Sequence, residues 1–189
     1  MKAHLPPQTG DNDIYSGFKW NPTDAALAHQ ILKREATPEA ITYFAEHCDT
    51  LTDYAYWFFL STLWVSYTGH SDLELWKRLF SAMRQGRERC LMKPSEYKEF
   101  RSSLRPMVTA YRAHRPGETD WIAYTRSVEI AQRFARERGS PEISVYEIPR
   151  RYVLALFLRR GEHEIIVLDK SNAQYTGFIP LIPLKGVDD

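Results

Sequence analysis

Two carboxylates separated by one residue open a short apolar segment late in the chain. Glu162 and Glu164 flank His163, and the segment continues as Ile165-Ile166-Val167. β-Branched residues of this kind predict a strand, and residues i and i+2 of a strand project to the same side. If the strand begins at Glu162, the two carboxylates share a face, where like charges repel and add nothing to folding. The pair is therefore either a solvated strand end or a site that uses two carboxylates.

Two further polar motifs precede the carboxylate pair and lie on or next to predicted strands. Tyr111-Arg112-Ala113-His114 falls in a predicted strand from 107 to 113, and Tyr124-Thr125-Arg126-Ser127 follows a predicted strand from 121 to 125 into a helix. An arginine suits phosphate because its planar donor fork is always charged. A carboxylate that faces developing positive charge stabilises that charge electrostatically. The chain thus offers a group for phosphate and a group for positive charge.

In this order the three motifs resemble the ADP-ribosyltransferase superfamily, in its variant with an arginine, a serine or threonine, and an ExE glutamate motif. The resemblance covers about residues 106–184. The segment 121–125, followed by residues 128–135, is similar to the family's second strand and the helix that covers its sheet. The resemblance implies a small split β-sandwich with NAD bound as a substrate in its cleft.

The resemblance assigns Glu164 as the catalytic glutamate and Glu162 as the group that faces the acceptor. Arg112 becomes the contact to the dinucleotide, and Arg115, in the loop that follows, is the alternative. In NAD the bond from ribose to nicotinamide already carries a cationic leaving group, so no acid is needed to expel it. The transition state resembles an oxocarbenium ion, as in glycoside hydrolysis.

The remaining assignments concern a hydroxyl and the groups around the nicotinamide. By resemblance, Thr125 is the hydroxyl of the second motif, although that motif usually begins with serine and Ala123 or Tyr124 stands there instead. Ser127 either shares this role or caps the next helix. Tyr124 or Trp121 is a candidate to stack on the nicotinamide, with packing in the sheet core as the other role for Trp121. His114 either touches the dinucleotide or is a surface residue.

The elements that position these motifs belong to an α+β fold, with an all-helical region followed by a small split β-sandwich of the ADP-ribosyltransferase type. We expect an extended N-terminal arm at 1–20, a helical domain at 21–105 and a β-rich domain at 106–189. The central helix, from 52 to 67, is apolar nearly all round, which predicts burial. Little separates the last predicted helix from the first strand, so we expect both halves to pack together with the helical surface bordering the cleft. The periodicity predicts helices at 21–34, from 37 onward, and at 52–67, 72–85, 95–104 and 128–138.

Composition excludes several function classes. The 189 residues are 43% hydrophobic and carry a net charge of +1, and the basic residues are interspersed with acidic ones. This pattern argues against nucleic-acid binding and against a membrane partner. Cys48 and Cys90 match no metal or redox spacing, so we expect free thiols in a reducing compartment. The N-terminus lacks the apolar core of a signal peptide, and we expect a cytoplasmic protein.

The resemblance implies an NAD-dependent mono-ADP-ribosyltransferase that transfers ADP-ribose to a macromolecular acceptor, for which we expect a protein. In the family, a glutamate at the position of Glu162 usually accompanies arginine as the acceptor, which implies a guanidinium target. Small transferases of this type are familiar as toxins and phage effectors, so a similar biological role is an analogy. Two alternatives remain open: an NAD glycohydrolase that uses the same site, and a catalytically inactive fold that serves as an interaction protein.

Overall fold

The computed structural model describes residues 13–17, 19, 21–66, 69 and 72–181, so the predicted arm at 1–20 lies mostly outside the described residues. Within these ranges, six α-helices precede the first strand. They are α1 (Pro22–Leu32), α2 (Glu39–His47), α3 (Asp53–Ser66), α4 (Leu73–Phe80), α5 (Arg87–Leu91) and α6 (Pro94–Ser103).

Local signals in the sequence explain where several helices begin. The side chain of Asn21 accepts hydrogen bonds from the backbone N–H groups of Thr23 and Asp24, and Pro22 occupies the first helical position of α1. Asp24 in turn accepts from both the backbone and the hydroxyl of Thr52, just before α3. The first helix therefore holds the start of the central one.

The predicted helix at 72–85 ends earlier than expected, at Phe80. The next segment is held by α3 and its surroundings: the indole of Trp57 donates to the carbonyl of Gln85, and Arg84 donates to the carbonyls of Leu51 and Cys48. These tertiary hydrogen bonds compete with the helical ones. The short helix α5 follows, and the sequence analysis had not predicted it.

The second half forms a single antiparallel sheet of six strands with one helix packed against it, as described for residues 104–181. The strand order is β4-β5-β2-β1-β3-β6. Helix α7 (Val128–Arg138) connects β2 to β3. The strands are β1 (Met107–Arg112), β2 (Ala123–Thr125), β3 (Glu142–Pro149), β4 (Ala155–Phe157), β5 (Glu164–Ile166) and β6 (Gln174–Pro180). The α+β class is confirmed.

The sheet is weakly joined at its centre, between β1 and β2. These strands share one residue pair, Tyr111 with Thr125, whereas β1 and β3 pair along the whole of β1, from Met107 to Arg112. The sheet therefore consists of two three-stranded parts, β4-β5-β2 and β1-β3-β6, that meet at one point.

One hydrophobic core runs through the helical region and the sheet. It contains Trp57 and Leu60 of α3 together with Ile148, Leu156 and Ile165 of the sheet, each at most 1% exposed. A smaller cluster lies between α7 and the sheet. It consists of Ala131 and Ala135 of α7, Ile143 of β3, and Ala113. Shared burial on this scale couples the two halves energetically.

A buried carboxylate adds polar contacts between the halves. Glu96 of α6 is 1% exposed. It accepts hydrogen bonds from the backbone N–H of Lys93 and of Leu158, and from Nε of Arg159 at 3.1 Å. These contacts attach α6 to the chain that leaves β4. Along the described residues, no helix has the length and apolar character needed to cross a membrane.

Candidate active site

A cleft of about 860 Å³ opens where β1, β2 and β5 meet, next to helices α3 and α4. Its volume lies within the range of roughly 300–1,000 Å³ typical of small-molecule sites. Five of the seven site residues assigned from the sequence line it, as does Arg115, the alternative to Arg112, whereas His114 and Ser127 do not. The five are Arg112, Tyr124, Thr125, Glu162 and Glu164.

The two glutamates reach the cleft by a different route from the one predicted. Strand β5 begins at Glu164, and Glu162 lies before it. Between them, His163 is exposed and has a left-handed backbone with φ 47°. Its carbonyl accepts from the backbone N–H of Arg126. The expectation of a regular strand from Glu162 is therefore wrong, and a local kink rather than strand alternation points both carboxylates into the cleft.

Glu164 lines the cleft at the start of β5, with its side chain 13% exposed, close to the 14% of Glu162. It pairs with Thr125 on β2 and with Phe157 on β4, so backbone on both sides fixes its position. Its Oε2 accepts a hydrogen bond of 2.9 Å from the indole of Trp64, and Arg160 lies 3.8 Å away. Burial raises the pKa of Glu164 to about 7, although the charge of Arg160 and the Trp64 hydrogen bond oppose this rise.

Glu162 is paired with two arginines. Its Oε2 lies 2.8 Å from Arg160, and its Oε1 lies 3.7 Å from Arg133 of α7. Arg160 is itself anchored, because its NH1 donates to the carbonyl of Val65 at the end of α3. The carboxylate of Glu162 thus faces a fixed positive charge, whereas that of Glu164 receives a hydrogen bond from a neutral donor.

Arg112 is held in a fixed orientation by a carboxylate that the sequence analysis did not identify. Its Nε and NH2 donate to the two carboxylate oxygens of Glu118, and its NH1 donates to the carbonyl of Ala123. Only the position of Glu118 in the loop after the arginine-bearing strand hinted at this role.

His114 supports the same carboxylate from the other side. Its Nδ1 lies 2.9 Å from Glu118, and its Nε2 lies 2.8 Å from the hydroxyl of Tyr146. Burial alone would raise the pKa of Glu118, but hydrogen bonds from His114 and Arg112 lower it to about 2. This placement does not support a contact between His114 and the dinucleotide. Both ring nitrogens already contact Glu118 and Tyr146, and His114 does not line the cleft.

The two hydroxyl candidates have separate roles. Thr125 is 4% exposed, and its hydroxyl donates to the carbonyl of Glu162 at 2.6 Å. Ser127 caps helix α7: its hydroxyl accepts from the backbone N–H of Ile130 and donates to Glu129. Of the two roles considered for Ser127, the structure shows the cap.

Two buried polar atoms in the cleft wall lack a hydrogen-bond partner of normal geometry among the described residues. They are the indole nitrogen of Trp121 and the hydroxyl of Tyr124. Burial raises the pKa of Tyr124 to about 12, so the hydroxyl keeps its proton. The indole of Trp121 lies close enough to Tyr124 to oppose part of this rise in pKa by hydrogen bonding.

Positive charge without an ion-pair partner gathers near the end of β1. Arg115 is exposed and lines the cleft, as does the half-buried Arg138 of α7. Arg138 donates to the carbonyl of Ala113, and neither arginine forms an ion pair within the described part of the chain. Burial lowers the pKa of Arg138, and the charges of Arg112 and Arg115 lower it further. An anion bound here would relieve that repulsion.

The helical region supplies part of the cleft wall. Trp64, Leu73 and Trp76 line it, and Trp64 packs edge-on against Trp76 at 5.0 Å and against Phe80 at 5.5 Å. The prediction that the helical surface borders the cleft is confirmed. Sequence reasoning missed Trp64 itself, because an aromatic residue on an apolar helix gives the same signal as core packing.

Comparisons with models of known protein families, with curated proteins and with solved structures find no match to this chain.

Proposed function

We propose that the chain is an NAD-dependent mono-ADP-ribosyltransferase. The observation that carries the proposal is the convergence of Arg112 on β1, Thr125 on β2 and Glu164 on β5 in one cleft. The cleft opens where the sheet divides, since β1 and β2 share a single residue pair. That division supports the finer fold assignment, a split β-sandwich of the ADP-ribosyltransferase type.

The charges along the cleft suit the two ends of NAD. The pyrophosphate would meet Arg115 and Arg138, which lack ion-pair partners within the described ranges. Arg112 has five N–H donors, and Glu118 and Ala123 engage three of its nitrogens with one bond each. The donors that remain can reach a phosphate or a ribose hydroxyl.

Glu164 is suited to the bond-breaking step. Nicotinamide leaves with the electron pair of its bond to the ribose, and positive charge develops on the ribose. An ionised carboxylate in a partly dehydrated cleft stabilises that charge more strongly than one in water. The acceptor then forms the new bond to the ribose and loses a proton, to Glu162 or to water. Glu162 lines the same cleft two residues before Glu164 and is the group that we assign to the acceptor.

The pairing of Glu162 favours a second candidate. Arg160 and Arg133 already face this carboxylate, at 2.8 and 3.7 Å. If these arginines stay in place when NAD binds, water is the acceptor and the chain is an NAD glycohydrolase. If they give way, an incoming guanidinium replaces one positive charge with another. The transferase with a protein acceptor in the cytoplasm, acting in the manner of a toxin or phage effector, remains our leading proposal.

The test is incubation of the purified chain with a cytosolic lysate and NAD labelled in its adenylate phosphate. Proteins that become labelled support the transferase. Release of free ADP-ribose without any labelled protein supports the glycohydrolase. The Glu164→Gln variant is the control, because it keeps the shape of the site and removes the charge. Absence of both turnover and NAD binding by calorimetry would overturn both proposals and favour a catalytically inactive interaction protein.

A further inference from the structure

A single tryptophan of the helical region makes a direct hydrogen bond to Glu164. The indole N–H of Trp64, on α3, donates to Oε2 of Glu164 at 2.9 Å, across a sequence separation of 100 residues. Among the described residues, this is the hydrogen bond that the carboxylate of Glu164 receives, because Arg160 lies farther away at 3.8 Å. The orientation of this carboxylate therefore depends on a residue outside the sheet.

The indole has little freedom to turn away from the carboxylate. Trp64 packs edge-on against Trp76 and against Phe80, with ring centroids 5.0 and 5.5 Å apart. Trp76 and Phe80 stack on each other along α4. A donor fixed in this way costs no reorganisation when charge develops in the site.

The hydroxyl on the neighbouring strand does not take this role. Thr125 faces Glu164 across β2 and β5, but its hydroxyl donates to the backbone carbonyl of Glu162. It also accepts from the backbone N–H of Ser127. Thr125 therefore fixes the backbone around the kink, and the side chain of Glu164 takes its hydrogen bond from α3.

We propose that Trp64 is a positioning residue, which holds the carboxylate of Glu164 in its reactive orientation and favours its ionised form. The proposal rests on the proposed function of Glu164. It gives the helical region a part in the reaction, beyond forming a wall.

The charged groups around Glu164 define what removal of the N–H should do. Arg160 and Glu162 face it from the turn before β5, and Arg112 faces it from β1. Burial raises the pKa of Glu164, and the Trp64 hydrogen bond is one of the effects that lower it. Loss of a hydrogen bond to a charged group corresponds to about a tenfold change in equilibrium, or about one pH unit. Without the indole N–H, the pKa of Glu164 should therefore rise further.

The first measurement does not depend on NAD chemistry. The chain has five tryptophans, and the indole N–H signal of Trp64 can be identified in an NMR spectrum by its loss in Trp64→Phe. We expect this signal to shift with pH around the pKa of Glu164 and to lose that dependence in Glu164→Gln. An indole signal that ignores both pH and the Glu164→Gln change would overturn the proposal.

The second measurement is the pH profile of NAD turnover. In Trp64→Phe we expect the acidic limb of kcat to move up by about one pH unit and kcat at pH 7 to fall about fivefold, with a smaller change in KM. Trp57→Phe is the matched control, because Trp57 lies on the same helix and donates to the carbonyl of Gln85, away from the cleft. Its pH profile should match that of the wild type.

A third variant covers the case in which Trp64→Phe does not fold. Benzothienylalanine at position 64 keeps the shape of the side chain and replaces its N–H by sulfur, so it should shift the acidic limb as Trp64→Phe does. A loss of activity without a shift of the limb, as in any merely destabilised variant, would show that Trp64 is structural only. If the wild type shows no NAD turnover, the function proposed above fails, and the NMR titration alone decides whether Trp64 tunes Glu164.

Discussion

Arg112 and Glu118 face each other as a two-pronged ion pair, with Nε and NH2 of the arginine 3.0 and 2.5 Å from the two carboxylate oxygens. Both side chains are 13% exposed. The pair holds the loop after β1 against the strand and gives the cleft a fixed guanidinium. Hydrogen bonding of this kind strengthens in a dry environment and leaves a large penalty when one partner is removed.

The first prediction is that Glu118→Gln destabilises the protein by about 3–5 kcal/mol, because it leaves Arg112 half-buried without its counter-charge. The pKa of Glu118 is lowered in the folded protein, to about 2. Its contribution is therefore fully present above the unfolded pKa and is lost as pH falls toward 2. Denaturant unfolding should be measured at several pH values. The difference in the free energy of unfolding between wild type and variant should become smaller below about pH 4.5. Glu137→Gln, at an exposed carboxylate, is the control and should change stability little. A difference in the free energy of unfolding that does not change with pH would contradict this prediction.

The second prediction separates the arginines of the cleft. In a Glu164→Gln background, where NAD is not consumed, Arg115→Ala and Arg138→Ala should each weaken NAD binding by about 1.5–3 kcal/mol. Arg112→Ala should weaken binding and also lower the unfolding temperature, because it breaks the pair with Glu118. Arg136→Ala is the control, since Arg136 lies on α7 but outside the cleft. Calorimetry that shows a loss in Arg115→Ala and none in Arg112→Ala would make Arg115 the dinucleotide contact in place of Arg112.

The third prediction concerns Glu164→Gln. It should abolish both transfer and NAD hydrolysis and leave NAD binding largely intact. The pKa of Glu164 is raised in the folded protein, to about 7. The folded state therefore loses stability as pH rises from about 4.5 toward 7, where this carboxyl must ionise in a buried position. At pH 8 the variant should be more stable than the wild type by about 3 kcal/mol, and at pH 4 the two should be nearly equal. Equal stability at both pH values, or full activity in the variant, would refute this role.

The fourth prediction divides labour between the two carboxylates. Glu162→Gln should suppress transfer to the acceptor and spare at least part of the NAD hydrolysis, because the proposal assigns the acceptor to Glu162 and the bond-breaking step to Glu164. Parallel assays of protein labelling and ADP-ribose release give the ratio of the two activities. An equal loss of both activities would show that the two glutamates act as one unit.

Local sequence signals predicted much of the fold. Asn21-Pro22 and Ser127 marked helix starts that the structure confirms, because capping depends on residues within one turn. The α4 boundary was missed, because Arg84 and Gln85 are drawn to α3 by tertiary hydrogen bonds. His163 was missed as well, since nothing in a short apolar segment signals a left-handed residue at its entrance.

The site could be predicted only where a motif carried it. Arg112, Thr125, Glu162 and Glu164 were named from three short motifs. Glu118 and Trp64 have no motif, and their roles depend on contacts that only the folded chain makes. Trp64 in particular is indistinguishable from a core residue until the strand that carries Glu164 is placed beside it.

The fifth prediction tests the coupling of the two halves. Glu96→Ala removes the acceptor of Arg159 and of two backbone N–H groups, so it should destabilise the protein by about 3–5 kcal/mol. Glu99→Ala, at a half-buried position on α6 with no side-chain hydrogen bond or ion pair in the described structure, is the control. Calorimetry should show one unfolding transition for the wild type. Two separate transitions, or a folded fragment 106–189, would mean that the helical region and the sheet are independent.

The distance in sequence between Trp64 and Glu164 has a consequence for synthesis of the chain. The cleft uses residues from Trp64 to Glu164, so the 100 residues that follow Trp64 must leave the ribosome before both ends of that hydrogen bond can meet. The helices emerge first and can begin to collapse, but they do not carry Glu164. Chains that stop before β5 therefore hold the aromatic wall of Trp64 and Trp76 without the carboxylate that Trp64 contacts.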